Sequence, residues 1–357
     1  MSRHKLLLSL VLLGITPMLK AAPPTKGISV TTNAAEHRVD ITIDGQPFTS
    51  YLWQTNQRKP VLYPLIAPDG TTVTRGYPFA MRSGERVDHP HHAGLWFNYG
   101  NVNGFDFWNN SDAIKPADRP KYGAITHDRV VSTRSGPNSG ELVTESTWHT
   151  GDSTPSDNYL SMPILSQTTR YVFSCASVAR KPARAIDLYI TLKALAPVTF
   201  HDDKEGLLGL RVARFLESAT EKGGVFLDAN GVPTKVDAAD TAGATGIYHT
   251  SEGKTGDAVW STRGRWCELS GTTPEGKPET IVLFDDPANP GYPAYWHARG
   301  YGLFAVNPLG AHIFDAKAPP MNLTLNKGAS TTFHYRILIL SESATDEELN
   351  QFATTKQ

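Results

Sequence analysis

Apolar and polar residues alternate along three segments of this chain, and that alternation limits its fold more than any other feature. Side chains at every second position lie on the same face of an extended strand. Residues 37–43, 185–192 and 332–340 are therefore predicted to be β-strands with one face in a core. The apolar positions are Val39, Ile41 and Ile43, then Ile186, Leu188, Ile190 and Leu192, and finally Phe333, Tyr335, Ile337 and Ile339.

Turn-forming residue pairs separate the predicted strands, as expected of a chain with 30 glycines and 25 prolines. One helix start is predicted near the C-terminus, where Thr345 can cap a helix and Glu348 can bond back to it. The turn pairs are Asp44–Gly45, Asp69–Gly70, Asn103–Gly104, Asn230–Gly231 and Glu275–Gly276.

These patterns predict an all-β fold. The sequence shows no internal repeat and no long linker, so residues 23–357 are predicted to form a single large antiparallel β-domain with one short C-terminal helix. Residues 109–124 and 150–163 are predicted to be loops, and residues 219–258 show little periodicity. Such long excursions from a β scaffold often carry binding function.

The first 22 residues have the pattern of a secretory signal peptide. Residues 3–5 are basic, residues 6–15 are apolar, and Ala21 and Ala22 are small enough for cleavage. The apolar run is shorter than the roughly 20 residues that a membrane-spanning helix needs, and no later stretch reaches that length. We therefore expect the mature protein to be periplasmic or secreted, without insertion into a membrane.

The overall charge gives no electrostatic reason to expect a nucleic-acid partner. The chain has 34 Lys and Arg against 35 Asp and Glu, a formal net charge of −1, whereas surfaces that bind nucleic acid are normally basic. Cys175 and Cys267 are the two cysteines, so at most one intramolecular disulfide can form.

The first candidate site is a cluster of three histidines, His89, His91 and His92, that directly follows Asp88. Imidazole titrates near neutral pH and is the commonest metal ligand, so such clustering indicates a site on chemical grounds alone. Aromatic and amide side chains follow at once, including Trp96, Asn98 and Asn103. Aromatic faces cover the C–H surfaces of a sugar while amides bond its hydroxyls, so this pattern is typical of a saccharide site.

The same three histidines, His89, His91 and His92, are also the candidates for a metal site. A metal would need further ligands from elsewhere in the chain, with Asp88, His201 or His297 as the candidates. No cofactor is required by the sequence, and a divalent metal remains one alternative beside a metal-free catalytic role and a purely structural one.

The second candidate site is a run of five ionisable residues, 201–205, that follows an apolar segment. A solvated turn is the simplest explanation of such a run. Here it joins two apolar segments and ends at Gly206, as a loop at the mouth of a pocket would. Lys204 and Asp203 are candidates for substrate contact, and Glu205 can exchange protons if burial raises its pKa.

The third candidate site is an aromatic run that contains Tyr295, Trp296, His297, Arg299 and Tyr301. Aromatic residues at this density often form a core. However, a core run rarely includes His and Arg two positions apart, because buried charge is costly without partners. His297 and Arg299 would share a face if the segment is extended. The run is therefore interpreted as ligand contact through Tyr295, Trp296, His297 and Arg299.

At these motifs the sequence resembles a family of exported bacterial proteins, the DUF6807 family, which also carries the label "methane oxygenase PmoA". That label implies a membrane protein, whereas the mature chain has no apolar segment able to span a bilayer. The resemblance covers roughly residues 30–340. It rests on residues 63–65, 76–79, 89–92, 94–96, 102–104, 107–108, 203–206, 295–297 and 307–308.

The closing segments also resemble those of galactose-mutarotase-like domains, in which residues 325–328 would lead into the strand over 332–340. This resemblance implies a large β-supersandwich with a concave face that binds or processes carbohydrate. Mutarotases use two histidines and a late carboxylate base, and the late region here offers only Glu268, Asp285 or Asp286. Anomer interconversion is therefore not the activity we expect first.

The leading hypothesis is an exported carbohydrate-active enzyme that cleaves or modifies a glycoside or oligosaccharide, by hydrolase or lyase chemistry. His91 or His92 is predicted to act as an acid or polarising group and Glu205 as a base. His89, Lys204, His297 and Arg299 are predicted to hold the substrate. The alternatives are a non-catalytic saccharide-binding protein and a metal-dependent oxidoreductase.

Overall fold

The computed structural model describes residues 26–54, 57–151, 161–220, 222–238 and 243–354. The predicted signal peptide, residues 1–22, lies outside these ranges, as does most of the loop predicted over 150–163. Within the described residues, no helix is long and apolar enough to cross a membrane. The two cysteines are both free, with Cys175 exposed and Cys267 buried.

Two antiparallel sheets of eight strands each form the framework of the protein. In spatial order, the first sheet contains β1 (Ile28–Asn33), β2 (Arg38–Ile43), β3 (Gln46–Leu52), β4 (Val61–Leu62), β5 (Leu95–Tyr99), β11 (Gly206–Arg211), β18 (Leu303–Asn307) and β17 (Tyr295–Arg299). The second sheet contains β14 (Ile247–Thr250), β15 (Trp266–Thr272), β16 (Pro278–Asp285), β20 (Ser330–Leu340), β9 (Lys181–Ala194), β8 (Met162–Val178), β7 (Ser139–Thr150) and β6 (Gly123–Arg134).

Smaller elements connect these sheets. The described residues form two short two-stranded sheets, two α-helices and several 3₁₀ turns. The short sheets pair β10 (Val198–Phe200) with β19 (Leu323–Leu325) and β12 (Lys222–Leu227) with β13 (Pro233–Ala238), and the helices are α1 (Ala311–Phe314) and α2 (Asp346–Thr354).

The main hydrophobic core lies between the two large sheets, as the alternating pattern predicts. All eleven apolar residues used for that prediction belong to this core, and the three segments correspond to β2 and to parts of β9 and β20. A face that alternates with polar residues is buried on one side only, so two such sheets pack face to face. The prediction of a large antiparallel β-sandwich is confirmed.

The predicted C-terminal helix is also confirmed. The backbone N–H of Thr345 donates to the Glu348 carboxylate at 2.9 Å, and the N–H of Glu348 donates to the Thr345 hydroxyl at 3.3 Å. This reciprocal pair caps α2. The helix buries Leu349 and Phe352 against the outer face of the second sheet, which gives the sandwich a third layer at that end.

One aperiodic region contains more regular structure than its sequence indicates. Residues 219–258 include the β12–β13 ribbon and β14. In β13 every residue except Val236 is exposed. A ribbon without a buried face needs no alternation of apolar residues, so its sequence carries no period-two signal.

The strands of the first sheet present a second, outward face that carries polar groups. In β11, Leu208 and Leu210 enter the core, whereas Gly209 and Arg211 lie on the opposite face. A Cβ atom at Gly209 would lie only 2.5 Å from the ring of Trp96 on β5. Glycine therefore allows that indole to lie flat across the sheet, which prepares a floor for the site described next.

Candidate functional site

The candidate site lies on the outer face of the first sheet, where β5, β11, β18 and β17 run side by side in that order. Two segments cross this face. We call residues 86–94 the histidine loop and residues 201–205 the acidic turn. The turn packs closely on β5, because a Cβ atom at Gly100 would lie 2.8 Å from the Cβ of Glu205. The sandwich therefore brings the three predicted motifs to one face.

A buried arginine holds the histidine loop in place. The Arg75 side chain is 1% exposed. Its guanidinium donates to the carbonyls of Arg86, Asp88, His89 and His92 at 2.8–3.2 Å, and to the Asp88 carboxylate at 2.8 Å. A planar guanidinium with several fixed donors suits this task. The conformation of the loop therefore depends on a residue that precedes it by more than ten positions.

A buried lysine supports the same loop from another side. Lys59 is 2% exposed, donates from Nζ to the His91 carbonyl at 2.7 Å, and lies 5.5 Å from the Trp96 ring centroid. Burial lowers the pKa of Lys59 to about 7, because removal from water penalises the ammonium form. Its closed surroundings indicate a structural role.

His92 is the innermost of the three histidines and is 2% exposed. Its Nε2 accepts from the Trp108 indole N–H at 3.2 Å, its ring stacks on Trp96 at 5.2 Å, and its Nδ1 lies 3.4 Å from Arg211. Burial, and then the charge of His91, hold its pKa well below the usual value. His92 is therefore a neutral ring packed into the floor of the site.

His89 and His91 occupy different environments. The side chain of His89 is 41% exposed, and its Nδ1 lies 3.3 Å from the Asp88 carboxylate. His91 is 9% exposed, and burial, with Lys59 as the next contribution, holds its pKa well below the usual value. His91 is therefore neutral near neutral pH, and His89 is the most accessible histidine of the cluster.

Asp88 joins the histidine loop to Arg211 of β11. Arg211 is fully buried and donates to the Asp88 carboxylate at 2.7 Å. Burial alone would raise the pKa of Asp88, but the hydrogen bond from His89 and the charges of Arg211 and Arg75 outweigh it and hold the pKa well below its usual range. The carboxylate therefore stays ionised and forms ion pairs with two guanidinium groups.

The acidic turn brings a carboxylate next to β17. Lys204 donates from Nζ to the Glu205 carboxylate, whose other oxygen lies 3.6 Å from His297 Nδ1. Burial raises the pKa of Glu205, against the opposing effect of Lys204. Burial, followed by the charges of Arg299 and Lys204, lowers the pKa of His297 to about 3. The pair is thus a neutral imidazole beside a carboxylate whose proton affinity is increased.

Aromatic rings enclose these ionisable groups. Trp108 links the two halves of the site, since its ring lies 5.7 Å from His92 and 6.3 Å from His297. Trp260 lies 4.9 Å from the His297 ring. Tyr301 stacks on His89 at 5.1 Å, with an interplanar angle of 4°.

Tyr301 lies between the histidine loop and the acidic turn. Its ring lies 4.8 Å from the Arg211 guanidinium. Burial raises the pKa of its hydroxyl to about 12, with Arg211 opposing and Glu205 adding to the shift. The residue lies in the turn between β17 and β18, directly before Gly302, whose φ of +91° favours glycine. The phenol is therefore protonated, and it lies within the electrostatic reach of both segments.

The sequence of this chain matches the profile of one known protein family. The DUF6807 profile, described as a family of unknown function, matches residues 38–354. The chain belongs to the DUF6807 family. In this member the histidine loop, the acidic turn and β17 lie on one face of the first sheet. No curated protein matches the chain.

Solved structures match this DUF6807 chain at low sequence identity and low TM-score. The galactosidase domain of an α-galactosidase–sucrose kinase has a TM-score of 0.40 and 8% identity over 88% of this chain, which spans only 42% of that structure. Galactose 1-epimerase from Lactobacillus acidophilus NCFM has a TM-score of 0.37 and 10% identity over 89% of this chain and 100% of that one. Likeness at this level supports no functional assignment.

Several predicted contact residues of the DUF6807 chain lie beneath the site or beside it. Trp96 is 2% exposed and lies under His92. Asn98 is fully buried and donates to the Phe107 carbonyl at 2.6 Å. Asp203 accepts the Glu205 backbone N–H at 2.9 Å and so shapes the acidic turn. These side chains position the groups that are exposed to the site.

Three other predicted contact residues do not reach the site. Trp296 is fully buried in the core between the sheets, on the face of β17 opposite His297. The Asn103 amide is committed to the backbone, because it donates to Pro197 and accepts from Thr199. Tyr295 stacks on Phe314 at 5.1 Å and is buried.

The structure adds residues that the sequence prediction did not assign to the site, among them Arg75, Arg211, Trp260 and Tyr301. Arg211 could have been found, because an arginine on the outer side of an apolar strand requires a partner. Tyr301 stood within the third motif. Arg75 and Trp260 lie outside the three candidate motifs, and their place depends on the tertiary fold.

A metal site is not apparent in the geometry of the described residues. In the part of the chain that the structure describes, no three His, Cys, Asp or Glu side chains group as metal ligands. His89 and His92 stack face to face at 4.9 Å, and His201 is exposed. Metal binding by His89, His91 and His92 thus remains a prediction.

Two clefts lie away from this face. One of about 650 Å³ lies beside Trp53 and His127, and one of about 430 Å³ lies beside Tyr189 and His334. Neither is lined by Glu205, His297 or the histidine loop. We assign the candidate site by the convergence of ionisable and aromatic groups, because volume alone carries no chemistry.

Proposed function

We propose that this DUF6807 protein is a carbohydrate-active enzyme that cleaves or modifies a glycoside by acid–base chemistry at the outer face of the first sheet. The observation that carries the proposal is the environment of Glu205. A mostly buried carboxylate with a raised pKa lies beside an unpaired imidazole nitrogen and a lysine, at an aromatic-lined face. A structural turn needs no such arrangement.

Glu205 is the proton acceptor in this proposal. A base works best when its pKa approaches the pH at which the enzyme operates, because the same group must both hold and release the proton. Burial moves the pKa of Glu205 in that direction. Lys204 opposes this rise, and His297 borders the second carboxylate oxygen at 3.6 Å.

The histidine loop supplies the group that donates a proton to the substrate in this proposal. Burial lowers the pKa of His91 and of His92, so of the two predicted roles, acid or polarising group, we keep only the polarising one for them. We propose His89 as the acid, because its ring is exposed and its Nδ1 lies 3.3 Å from the Asp88 carboxylate. A carboxylate beside a histidine fixes the orientation of its ring. His91, which is neutral, suits hydrogen bonding to a sugar hydroxyl.

The aromatic side chains supply the binding surface. Trp260 and Tyr301 are partly exposed and border His297 and His89 respectively, while Lys204 extends to solvent. Sugar rings combine apolar C–H faces with hydroxyl edges, so they match aromatic faces beside cationic donors. An oligosaccharide or glycoside is the partner we propose.

The test is turnover of a panel of plant and algal oligosaccharides by the purified mature protein, with products followed by mass spectrometry. We expect a product from the wild type and its loss in His89→Ala. The matched control is His312→Ala, which removes an exposed histidine near the acidic turn and should leave turnover unchanged. Binding without a product would instead identify a saccharide-binding protein. The absence of both binding and product would refute a carbohydrate function.

We further propose that the protein acts outside the cytoplasm, because residues 1–22 have the pattern of a signal peptide. N-terminal sequencing of protein recovered from the periplasm and the medium tests this. Cleavage near Ala22 would support export. An intact Met1 on protein confined to the cytoplasm would contradict it.

A further inference from the structure

We infer that the substrate carries a carboxylate, as in a uronic acid residue, and that Arg299 binds this group. The inference rests on the proposed function, since it names the substrate class of the same site. It is carried by one feature of the outer face: the charges there are paired except at Arg299.

The cations and anions of the site form two satisfied groups. Lys204 bonds Glu205, and Arg75 and Arg211 share the carboxylate of Asp88. These contacts occupy the two acidic side chains that face the site from the acidic turn and the histidine loop. His91 and His297 add no charge, because burial lowers both of their pKa values.

The guanidinium of Arg299 has no such partner. No described residue forms an ion pair or a hydrogen bond with it. The exposed Asp257 approaches the adjacent Gly300 but makes no ion pair with Arg299. Asp203 bonds the backbone of its own turn. Arg299 is therefore the cation of this face that has no carboxylate partner among the described residues.

Arg299 is nevertheless held in a fixed position. Its guanidinium lies 3.6 Å from the centroid of the Trp260 ring, and the residue shares the outer face of β17 with His297. Stacking occupies the flat face of a guanidinium and leaves the N–H groups at its edge free to donate. A long cationic side chain that is stacked but unpaired is thus prepared for an anion.

A carboxylate matches the N–H edge of the Arg299 guanidinium better than a neutral hydroxyl does. Guanidinium and carboxylate are both planar and form two parallel hydrogen bonds, which neutral hydroxyls cannot reproduce. His297 lies two positions from Arg299 on the same face of β17, and its Nδ1 lies 3.6 Å from the Glu205 carboxylate. A sugar held by its carboxylate at Arg299 would lie next to Glu205.

The experiment compares oligogalacturonides with the same oligosaccharides whose carboxyl groups have been reduced to alcohols. Binding is measured by calorimetry and turnover by mass spectrometry. We expect the wild type to prefer the acid by roughly 10- to 100-fold, the effect of one charge-assisted contact. Arg299→Gln should lose that preference and keep its affinity for the reduced form, and Arg299→Lys should retain part of it.

The matched control is Arg129→Gln, which removes an arginine from an exposed ion pair on the second sheet and should keep the preference. Thermal unfolding of each variant checks that the fold is intact. Equal use of both oligosaccharides by the wild type, with turnover present, would overturn the inference and leave the proposed function standing.

Two further outcomes separate the remaining alternatives. Tighter binding of a sulfated galactose oligosaccharide than of the uronate would overturn the assignment of a carboxylate. Binding of the uronate that depends on Arg299 without turnover of any oligosaccharide would support the inference as a recognition site while the enzymatic proposal fails. If the protein neither binds nor turns over any sugar, the inference and the proposed function are both refuted.

Discussion

The outer faces of the two sheets both carry a histidine among charged residues, yet the two clusters differ in how well their charges are paired. On the second sheet, His334 lies between two carboxylates: Nδ1 is 2.8 Å from Asp286 and Nε2 is 3.2 Å from Asp187. Arg336 donates to Asp187 at 2.6 Å. Each of these four side chains has an oppositely charged partner.

The first sheet shows the opposite arrangement at His297 and Arg299. His297 Nδ1 is buried and has no hydrogen-bond partner among the described residues, and the Arg299 guanidinium is stacked but unpaired. Leaving a buried polar atom without a partner costs free energy of folding. A cost of this kind is expected where a ligand completes the bonds.

Histidine alone therefore does not distinguish a site from a structural network. The bonds to His334 raise its pKa although burial opposes them, whereas burial lowers the pKa of His297 to about 3. The first ring is bonded to carboxylates through both nitrogens, and the second is a neutral ring whose Nδ1 has no hydrogen-bond partner among the described residues. The following predictions test this distinction.

The largest expected effect is on turnover in Glu205→Gln. Glutamine keeps the shape of the side chain and cannot accept the proton, so we expect turnover to fall by roughly 10²- to 10⁴-fold while oligosaccharide binding persists. Steady-state kinetics and calorimetry on the same preparation measure this. The control Asp187→Asn should leave turnover unchanged, and unchanged turnover in Glu205→Gln would remove Glu205 from the mechanism.

The same Asp187→Asn variant should instead show a loss of stability. Its carboxylate serves both His334 and Arg336, which would be left without that anionic partner. We expect the free energy of unfolding to fall by about 1–3 kcal/mol, the usual cost of leaving partly buried polar groups unpaired. Urea unfolding measures it. We expect Arg299→Gln to be as stable as the wild type, because Arg299 has no ion-pair partner to lose. If Asp187→Asn were also as stable as the wild type, the contrast between the two faces would be contradicted.

The sequence predicts the sandwich better than the site because the two depend on different separations along the chain. Period-two alternation is local, so β2, β9 and β20 are correctly predicted with their core faces. The same rule separates Trp296 from His297 on β17, yet the density of aromatic residues favoured ligand contact for both. The approach of Glu205 to His297 joins residues more than ninety positions apart, and the fold alone brings them together.

The third prediction concerns the pH dependence of stability at His334. Its folded pKa is raised above 6.5 by the bonds to Asp187 and Asp286. Its stabilising contribution is therefore fully present below the unfolded pKa and is lost as the pH rises through the folded pKa. Urea unfolding of wild type and His334→Gln, measured from below the unfolded pKa of His334 to above its folded pKa, should give a difference in the free energy of unfolding that shrinks with rising pH. A difference that is independent of pH would show that His334 does not titrate there.

The smallest expected effect is a displaced pH profile in Lys204→Met. Glu205 must be ionised to accept a proton, so activity falls as the pH drops through its raised pKa. Lys204 opposes that rise, and its removal should raise the pKa further and move the acidic limb of the profile to higher pH. The profile of kcat/KM on one oligosaccharide measures the shift, with Lys277→Met as a control on an exposed lysine paired to Asp69. A limb that stays in place would mean that another group governs it, and the contrast between the two faces would then rest on Arg299 and His297 alone.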